Sequence, residues 1–452
     1  MKVIIVGAGD VGFVAAETIC GVHDVLVIER DETKVETLTA RLKVSALKED
    51  GTNPRVLRYA IGTQDADVIV STLSSDSENL FVCMMAKRIK PSIRTVATVD
   101  NPDYIMEVSG EGGDGVDTII SPNLVTAEKM YKLCVLENLV EYEALREMDA
   151  CIGVFRVESY NDVVGRIVMH LPLPEGCAVF GMYRDNQMIT SPETMEIHSG
   201  DSLCVFGTEK ALAEFNEMVG VKDIAREFVI LGGSVIGAYL ARLLSKDERR
   251  RYVKVIEKDP EVCKHLARDL TGVVVINDDF SNPDVQYDEN IFKVDATVST
   301  SGKDDTNLLI CMSARRNNAR KVVARFYMKE YEDIFRYTDV QTIIGFDRII
   351  SNSITKYVLS DEVSIAKMQD PSGVFFLHRA EGKSKLRGRF VGDVVMPDGL
   401  RIVAIRRDGE MIYPLLDTQI LEGDELIMFS YGKKESELIR VLGKGTLPEM
   451  RR

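Results

Sequence analysis

No stretch of this chain runs to eighteen apolar residues, so no helix in it is suited to cross a bilayer. Its eight cysteines are scattered, with no Cys-x-x-Cys pair. Most of them, such as Cys83, Cys204 and Cys311, sit in apolar surroundings. That pattern reads as buried thiols in a reducing compartment. The five histidines (His23, His170, His198, His265, His378) share no ligand spacing, which argues against a metal site. No Walker lysine is present for nucleotide hydrolysis. No His-Asp or Lys-Tyr constellation stands out as acid–base machinery beside a substrate pocket. Positive charge is outweighed, with 56 Lys and Arg against 71 Asp and Glu, a net of −15. Such a chain as a whole repels nucleic acid and anionic lipid, so neither nucleic-acid binding nor direct membrane insertion is expected. A secretory leader is not expected either, because Lys2 leads at once into a strand-like run.

What the chain does have is 45% apolar and 28% charged residues over 452 positions. That is a globular composition with room for about three or four domains. The apolar run Val3–Val6 leads into Gly7-Ala8-Gly9-Asp10-Val11-Gly12, and a helix-like stretch follows. Short apolar strands then alternate with helices: Val25–Ile28, Lys34–Leu42, Val68–Ser71, Asn79–Ile89, Thr95–Val99 and Thr118–Ile120. Alternation of this kind predicts crossover units and a parallel sheet. Ser121-Pro122 opens a further helix, whose greasy face is read as Leu124, Met130, Leu133, Leu136, Leu139 and Val140. That face suits a partner subunit or its own sheet equally well. From Cys151 the period shifts to short strands and turns, a small α+β unit. The whole pattern then restarts at Phe228–Leu231. Gly232-Gly233-Ser234-Val235-Ile236-Gly237 echoes the first turn, and Ala296–Thr300 echoes Ala66–Thr72. Ile350-Ser351-Asn352 is matched to Ile120-Ser121-Pro122, and Leu421–Asp424 to His198–Asp201. Landmarks held in register at this spacing signal a tandem duplication.

The spacing Gly7, Gly9, Gly12 is that of a dinucleotide turn. The glycines allow a tight turn, close approach of a pyrophosphate, and close packing of helix on strand. The helix then aims free N–H groups at phosphate. Glu29 ends the second strand, 22 residues after Gly7, where a carboxylate accepts the adenosine ribose hydroxyls and repels a 2′-phosphate. NAD(H) or an adenine nucleotide is therefore favoured over NADP(H), although Arg30 beside it blurs the distinction. Asp50-Gly51-Thr52 follows the third strand, and Thr72-Leu73 ends the fourth, at the edge where ligands bind. For Asp50 and Thr52 an ordinary turn and helix cap explains the spacing as well as ligand contact does. In the second copy Ser234 replaces the middle glycine and Glu257 keeps the acid. Asn277-Asp278-Asp279-Phe280 replaces the Asp-Gly-Thr turn, placing a carboxylate and a ring there.

These motifs, with Val-Ala-Thr-Val-Asp-Asn-Pro-Asp-Tyr (96–104) and Ile-Ser-Pro (120–122), resemble the N-terminal domain of the RCK family, which regulates potassium conductance. The small units resemble the RCK C-terminal domain, with Pro192 and Pro414 before each Gly-Asp turn. Two such pairs in one chain resemble the regulatory subunits of Trk potassium-uptake systems. The resemblance implies an α/β fold with two doubly wound Rossmann-like sheets, each followed by a small α+β domain. It divides the chain into 1–122 (N-terminal domain 1), 123–149 (connecting helix), 150–220 (C-terminal domain 1), 226–352 (N-terminal domain 2), 353–368 (connecting helix) and 369–448 (C-terminal domain 2). It implies a sensor rather than an enzyme, cytoplasmic and peripheral to the inner face of the membrane. Its ligand would be NAD(H), with ATP and ADP as further candidates. Its partners would be its own copies in a ring and a membrane-embedded, TrkH/TrkG-like potassium-transport subunit. Carried onto this sequence, the first site is Gly7, Ala8, Gly9, Asp10, Val11, Glu29, Asp50, Gly51, Thr52, Thr72, Leu73 and Thr98. The second is Gly232, Gly233, Ser234, Val235, Ile236, Glu257, Asp278, Thr300 and Arg325. The third glycines of the two turns, Gly12 and Gly237, complete them. The family's Ile-Ala-Arg motif keeps its arginine at Arg325 but has Thr98 in the first half, so the first site lacks that cation. The competing expectations are an NAD-dependent oxidoreductase and an RCK regulator of another cation channel.

Overall fold

In the computed structural model each half of the chain builds one parallel and one antiparallel sheet. The structure describes residues 1–21, 23–101, 104, 115–145, 148–221, 224–246, 251–328, 331–336, 340, 342–358, 364–368, 370, 372–382 and 384–432. The stretch of the expected last domain beyond 432, and Pro102-Asp103 of the motif above, lie outside them.

The first half starts with β1 (Lys2–Val6), α1 (Asp10–Ile19), β2 (Asp24–Glu29), α2 (Glu32–Arg41), β3 (Ser45–Lys48) and α3 (Pro54–Gln64). It continues through β4 (Val68–Ser71), α4 (Asp76–Ile89), β5 (Arg94–Thr98), β6 (Thr118–Ile120) and α5 (Pro122–Val135). The sheet order is β3-β2-β1-β4-β5-β6, the doubly wound order with its reversal between β1 and β4. Helices cover both faces, so central strands such as β1 and β4 are buried along their length. Five antiparallel strands follow: β7 (Leu139–Leu145), β8 (Ala150–Arg156), β9 (Cys177–Arg184), β10 (Gln187–Ile189) and β11 (Ser202–Gly207), and then α6 (Glu209–Val219).

The second half repeats the plan. It runs β12 (Glu227–Leu231), α7 (Val235–Ser245), β13 (Tyr252–Glu257), α8 (Pro260–Asp269), β14 (Val273–Asn277), α9 (Pro283–Asp288), β15 (Ala296–Ser299), α10 (Asp304–Arg316), β16 (Val322–Phe326), α11 (Glu332–Arg336), β17 (Thr342–Gly345) and α12 (Phe346–Val358). The antiparallel strands are β18 (Ser364–Lys367), β19 (Gly373–Arg379), β20 (Leu400–Arg407), β21 (Glu410–Ile412) and β22 (Glu425–Tyr431). Both sheets repeat the strand order of the first half.

Two readings of the sequence need correction. The helix opened by Pro122 ends at Val135, and Leu139 and Val140 belong to β7, which pairs with β8. The expected connecting helix 123–149 is thus a helix and then a strand. Likewise, among the described residues, 353–368 holds the end of α12 and then β18. The echo of Ile120 is also misplaced. Thr98 pairs with Ile120 in the first sheet, and Arg325 pairs with Ile344 in the second. Ile120-Ser121-Pro122 therefore corresponds to Ile344-Gly345-Phe346, while Ile350 lies inside α12.

The two halves interlock. Helix α5 packs on α7 of the other half, and α12 packs on α1. Met130 and Leu133 of α5 are fully buried in a core that reaches both parallel sheets. Thr18 and Ser351 share a hydrogen bond of 2.6 Å between α1 and α12. Between these alternatives, then, the greasy face of α5 covers the other half of its own chain. The two antiparallel sheets share a further core around Phe180, Phe206, Phe375 and Phe429. Phe180 meets Phe375 edge-on with ring centroids 5.0 Å apart.

Candidate functional site

The first glycine turn joins β1 to α1. Gly7 has φ of +98°, a left-handed conformation that a side chain resists, and Gly232 repeats it at +106°. A Cβ on Gly12 would stand 2.0 Å from the Gly7 carbonyl oxygen. That position must be bare for α1 to approach the turn, and Gly237 repeats the constraint against Gly232.

Glu29 is buried, and its two oxygens accept the amides of Ala8 (2.7 Å) and Asp31 (2.9 Å). It thus clamps the turn as well as facing the crevice. Glu257 does the same for Gly233 (2.6 Å) and Asp259 (2.9 Å). The Thr72 hydroxyl donates to the carbonyls of Val6 and Gly7, each at 3.1 Å, and Thr300 repeats this at Leu231 (3.3 Å) and Gly232 (2.8 Å). These threonines hold the turn to β4 and β15. Thr98 is buried, its hydroxyl donating to the Ser71 carbonyl.

A cavity of about 400 Å³ gathers Gly7, Gly9, Asp10, Val11, Glu29, Asp50, Gly51, Thr52, Thr72, Leu73 and Thr98 into one crevice. Ala8 and Gly12 are not in its wall. Ala8 is buried in the core, and Gly12 serves the helix approach. Asp50 accepts the amide and hydroxyl of Thr52 at 2.9 and 2.7 Å. These bonds hold its carboxyl below the usual range. It makes the ordinary turn that its spacing allowed. Asp100, also in the wall, has its carboxyl pushed up, chiefly by burial.

The second turn differs in detail. Ser234 caps α7 by accepting the Gly237 amide (3.3 Å), and its hydroxyl donates to the Thr300 carbonyl (2.9 Å). Asp278 is not the counterpart of Asp50. Asn277 pairs with Glu257 as Lys48 pairs with Glu29, which sets Asp279 against Asp50. Asp279 makes the matching turn to Ser281 at 2.9 and 2.6 Å. Phe280 then replaces Gly51, but its ring is buried in the core with Leu231 and Ile256 rather than set in the site. Ile236 is also buried, whereas Val235 is exposed. Arg325 is 2% exposed and donates to the carbonyls of Thr300 (2.9 Å) and Ser301 (3.3 Å). Burial pushes its pKa down.

Asn79 and Asn307 are not among the site residues expected from the sequence. Each ties the end of one strand to the next. Asn79 accepts from Ser71 (2.8 Å) and Leu73 N (2.7 Å) and donates to the Thr98 carbonyl (2.9 Å). Asn307 accepts from Ser299 (2.7 Å) and donates to the Arg325 carbonyl (2.9 Å). The Gly-Asp turns also have unforeseen partners. Arg184 binds Asp201 through two nitrogens at 2.8 and 2.6 Å, and Arg407 binds Asp424 at 2.8 Å through both. Burial raises the Asp201 carboxyl, and the bonds from Arg184 and the His198 amide outweigh it, leaving it below the usual range.

The TrkA-N domain family matches residues 3–122 and 228–351, and the TrkA-C domain family matches 153–220 and 380–443. Among solved structures, the GsuK RCK domain aligns with 97% of this chain and 94% of its own at a TM-score of 0.65 and 15% identity. The GsuK channel bound to NAD aligns with 97% and 78%, at the same TM-score and identity. The fold is thus similar to that of RCK domains, with two Rossmann-like units in tandem. Curated relatives narrow this further. A Trk system potassium uptake protein TrkA homolog of Methanosarcina mazei is 27% identical over 95% of this chain and 97% of its own. TrkA of Vibrio alginolyticus is 26% identical over 96% of each. The chain belongs to the TrkA family, with its N and C domains in tandem.

Proposed function

We propose that this chain is the nucleotide-sensing regulatory subunit of a Trk-type potassium-uptake system, working at the inner face of the membrane. The observation that carries the reading is the doubled glycine turn set into two interlocked halves. Each turn has its clamping acid, Glu29 or Glu257. Each half is packed on the other through α5–α7 and α1–α12. A ligand that shifts either turn therefore works against helices that are packed on the other half. Only the difference in ligand affinity between two arrangements can do regulatory work.

On this reading residues 1–122 and 226–352 are the sensing domains, and 150–220 and 369–448 transmit their state. NAD(H) is the leading ligand, with ADP and ATP as competitors for the same turns. The naming of the relatives supports a role in potassium uptake, and the NAD-bound RCK channel supports nucleotide sensing on this fold. Among the described residues no helix is long and apolar enough to cross a membrane. The pore therefore belongs to a separate potassium-transport subunit, below which copies of this chain assemble as a ring. Catalysis has no part in this reading.

The test is potassium flux in vesicles holding the membrane subunit, with and without this chain, NAD⁺, NADH, ADP or ATP. Flux that changes with nucleotide only when the chain is present is the expected result. Equal flux in every condition sinks the proposal.

A further inference from the structure

The first crevice is walled in part by two rings from the other half. Tyr327 follows β16, and Phe346 opens α12. They line the cavity together with Asp100 and Asn123, away from Glu29 across the glycine turn. The rings pack edge-on, with centroids 5.1 Å apart. Tyr327 is held at both ends. Its amide, and that of Met328, donate to the Asp304 carboxylate at 2.9 to 3.0 Å. The Arg325 guanidinium lies 4.5 Å from its ring centroid. An aromatic wall fixed in this way has little side-chain entropy left to lose when a ligand packs against it.

In this strand order a dinucleotide lies across the crevice, with its adenosine ribose at the acid that ends the second strand. Here that acid is Glu29, so the second nucleoside falls toward the β5 end, where Asp100 and Tyr327 stand. A mononucleotide held at Glu29 leaves this end unfilled. We propose that Tyr327, backed by Phe346, is the specificity-determining wall of the first site. It packs against the second base of a dinucleotide, so that this site distinguishes NAD(H) from ADP and ATP.

At the second turn the counterparts of this wall, among the described residues, carry no ring. The sheet registers set Asp100 against Tyr327 and Pro122 against Phe346 as positional counterparts. The counterparts that the first half offers are a carboxylate and a proline, with no π-face. Discrimination by stacking is thus confined to the first site, and it depends on the second half being present.

The inference rests on the reading of the Gly7 turn as a nucleotide site, and its test separates the two. The full chain is used in a Glu257→Ala background, which weakens the second turn, and is titrated by calorimetry with NAD⁺ and with ADP. Tyr327→Ala is expected to weaken NAD⁺ on the order of ten-fold, as loss of one base–aromatic stack does, and to leave ADP unchanged. Tyr327→Phe keeps both affinities, because it keeps the π-face. If Tyr327→Ala melts early, Tyr327→Leu decides, with bulk retained and stacking lost. Unchanged NAD⁺ affinity, or equal loss of NAD⁺ and ADP, overturns the inference while the nucleotide site stands. A parent chain that binds neither ligand overturns both. The chain contains no tryptophan, so NADH emission can follow the same series without energy transfer from that residue.

Discussion

Glu29 shows how one carboxylate serves two ends. It accepts two backbone amides that fix the glycine turn, and its position at the crevice suits a ribose. Glu29→Ala leaves the buried Ala8 amide and the part-buried Asp31 amide short of a partner. A loss of about 1–3 kcal/mol of stability is expected, together with weaker nucleotide binding. Thermal unfolding and calorimetry read the two effects separately. Gly9→Ser tests the opposite case. A Cβ at Gly9 meets nothing within 4 Å, and Ser234 already stands at the corresponding place in the second turn. The variant should fold with its melting temperature unchanged and bind NAD⁺ less tightly; a drop in stability would show that the turn cannot accept the second copy's chemistry. Asp201 supplies a pH test. Its folded pKa is depressed, so its contribution is complete above the carboxylate's ordinary pKa near 3.9 and is lost as pH falls through the lower folded value. Arg184→Met should therefore flatten the acid limb of the stability curve below about pH 4.

Helix α5 is the element on which the two halves turn. Leu133 is fully buried at the joint, so Leu133→Ala should cost about 2–5 kcal/mol and separate one unfolding transition into two. Calorimetric scans would show this; a single unshifted transition would mean that α5 does not bind the halves. Just beyond α5, the Lys321 ammonium donates to the carbonyls of Leu136, Glu137 and Leu139 at 2.7, 3.0 and 2.8 Å. It thereby pins the turn into β7 to the start of β16 in the second parallel sheet. Burial of that ammonium pushes its pKa down to about 8. A depressed folded pKa means that stability is fully present above the free lysine's value near 10.4 and is lost as pH falls through 8. Lys321→Met should remove this component between about pH 8 and 10 and loosen the joint, as hydrogen exchange at residues 136–139 would report.

The whole molecule behaves as a dimer made from one chain. The first half presents α1 and α5 to α12 and α7 of the second, and each half adds an aromatic sheet face. Either half expressed alone would expose these surfaces. The first half, ending near residue 221, is expected to pair with itself or to recombine with the separately expressed second half. Light scattering after mixing would show a complex of full-chain mass, and two stable monomers that ignore each other would contradict the shared core. The Tyr327 wall gives the same experiment a second reading, since the first half alone should lose its preference for NAD⁺ over ADP.

Alternation of strands and helices, the two glycine turns, their acids and the duplication were all legible in the sequence, because each is local or periodic. A strand buried on both faces must be apolar, a turn at φ near +100° must be glycine, and the acid must sit at a strand end. Sequence did not reveal where α5 stops, because Leu139 and Val140 continue a helical apolar face and only pairing with β8 makes them a strand. Nor did it distinguish Asp278 from Asp279, whose roles are set by sheet register. It could not bring Tyr327 to a crevice built some 300 residues earlier, or join Phe180 to Phe375. Those contacts exist because two amphipathic halves bury their faces against each other, and burial between distant segments leaves no spacing in the chain.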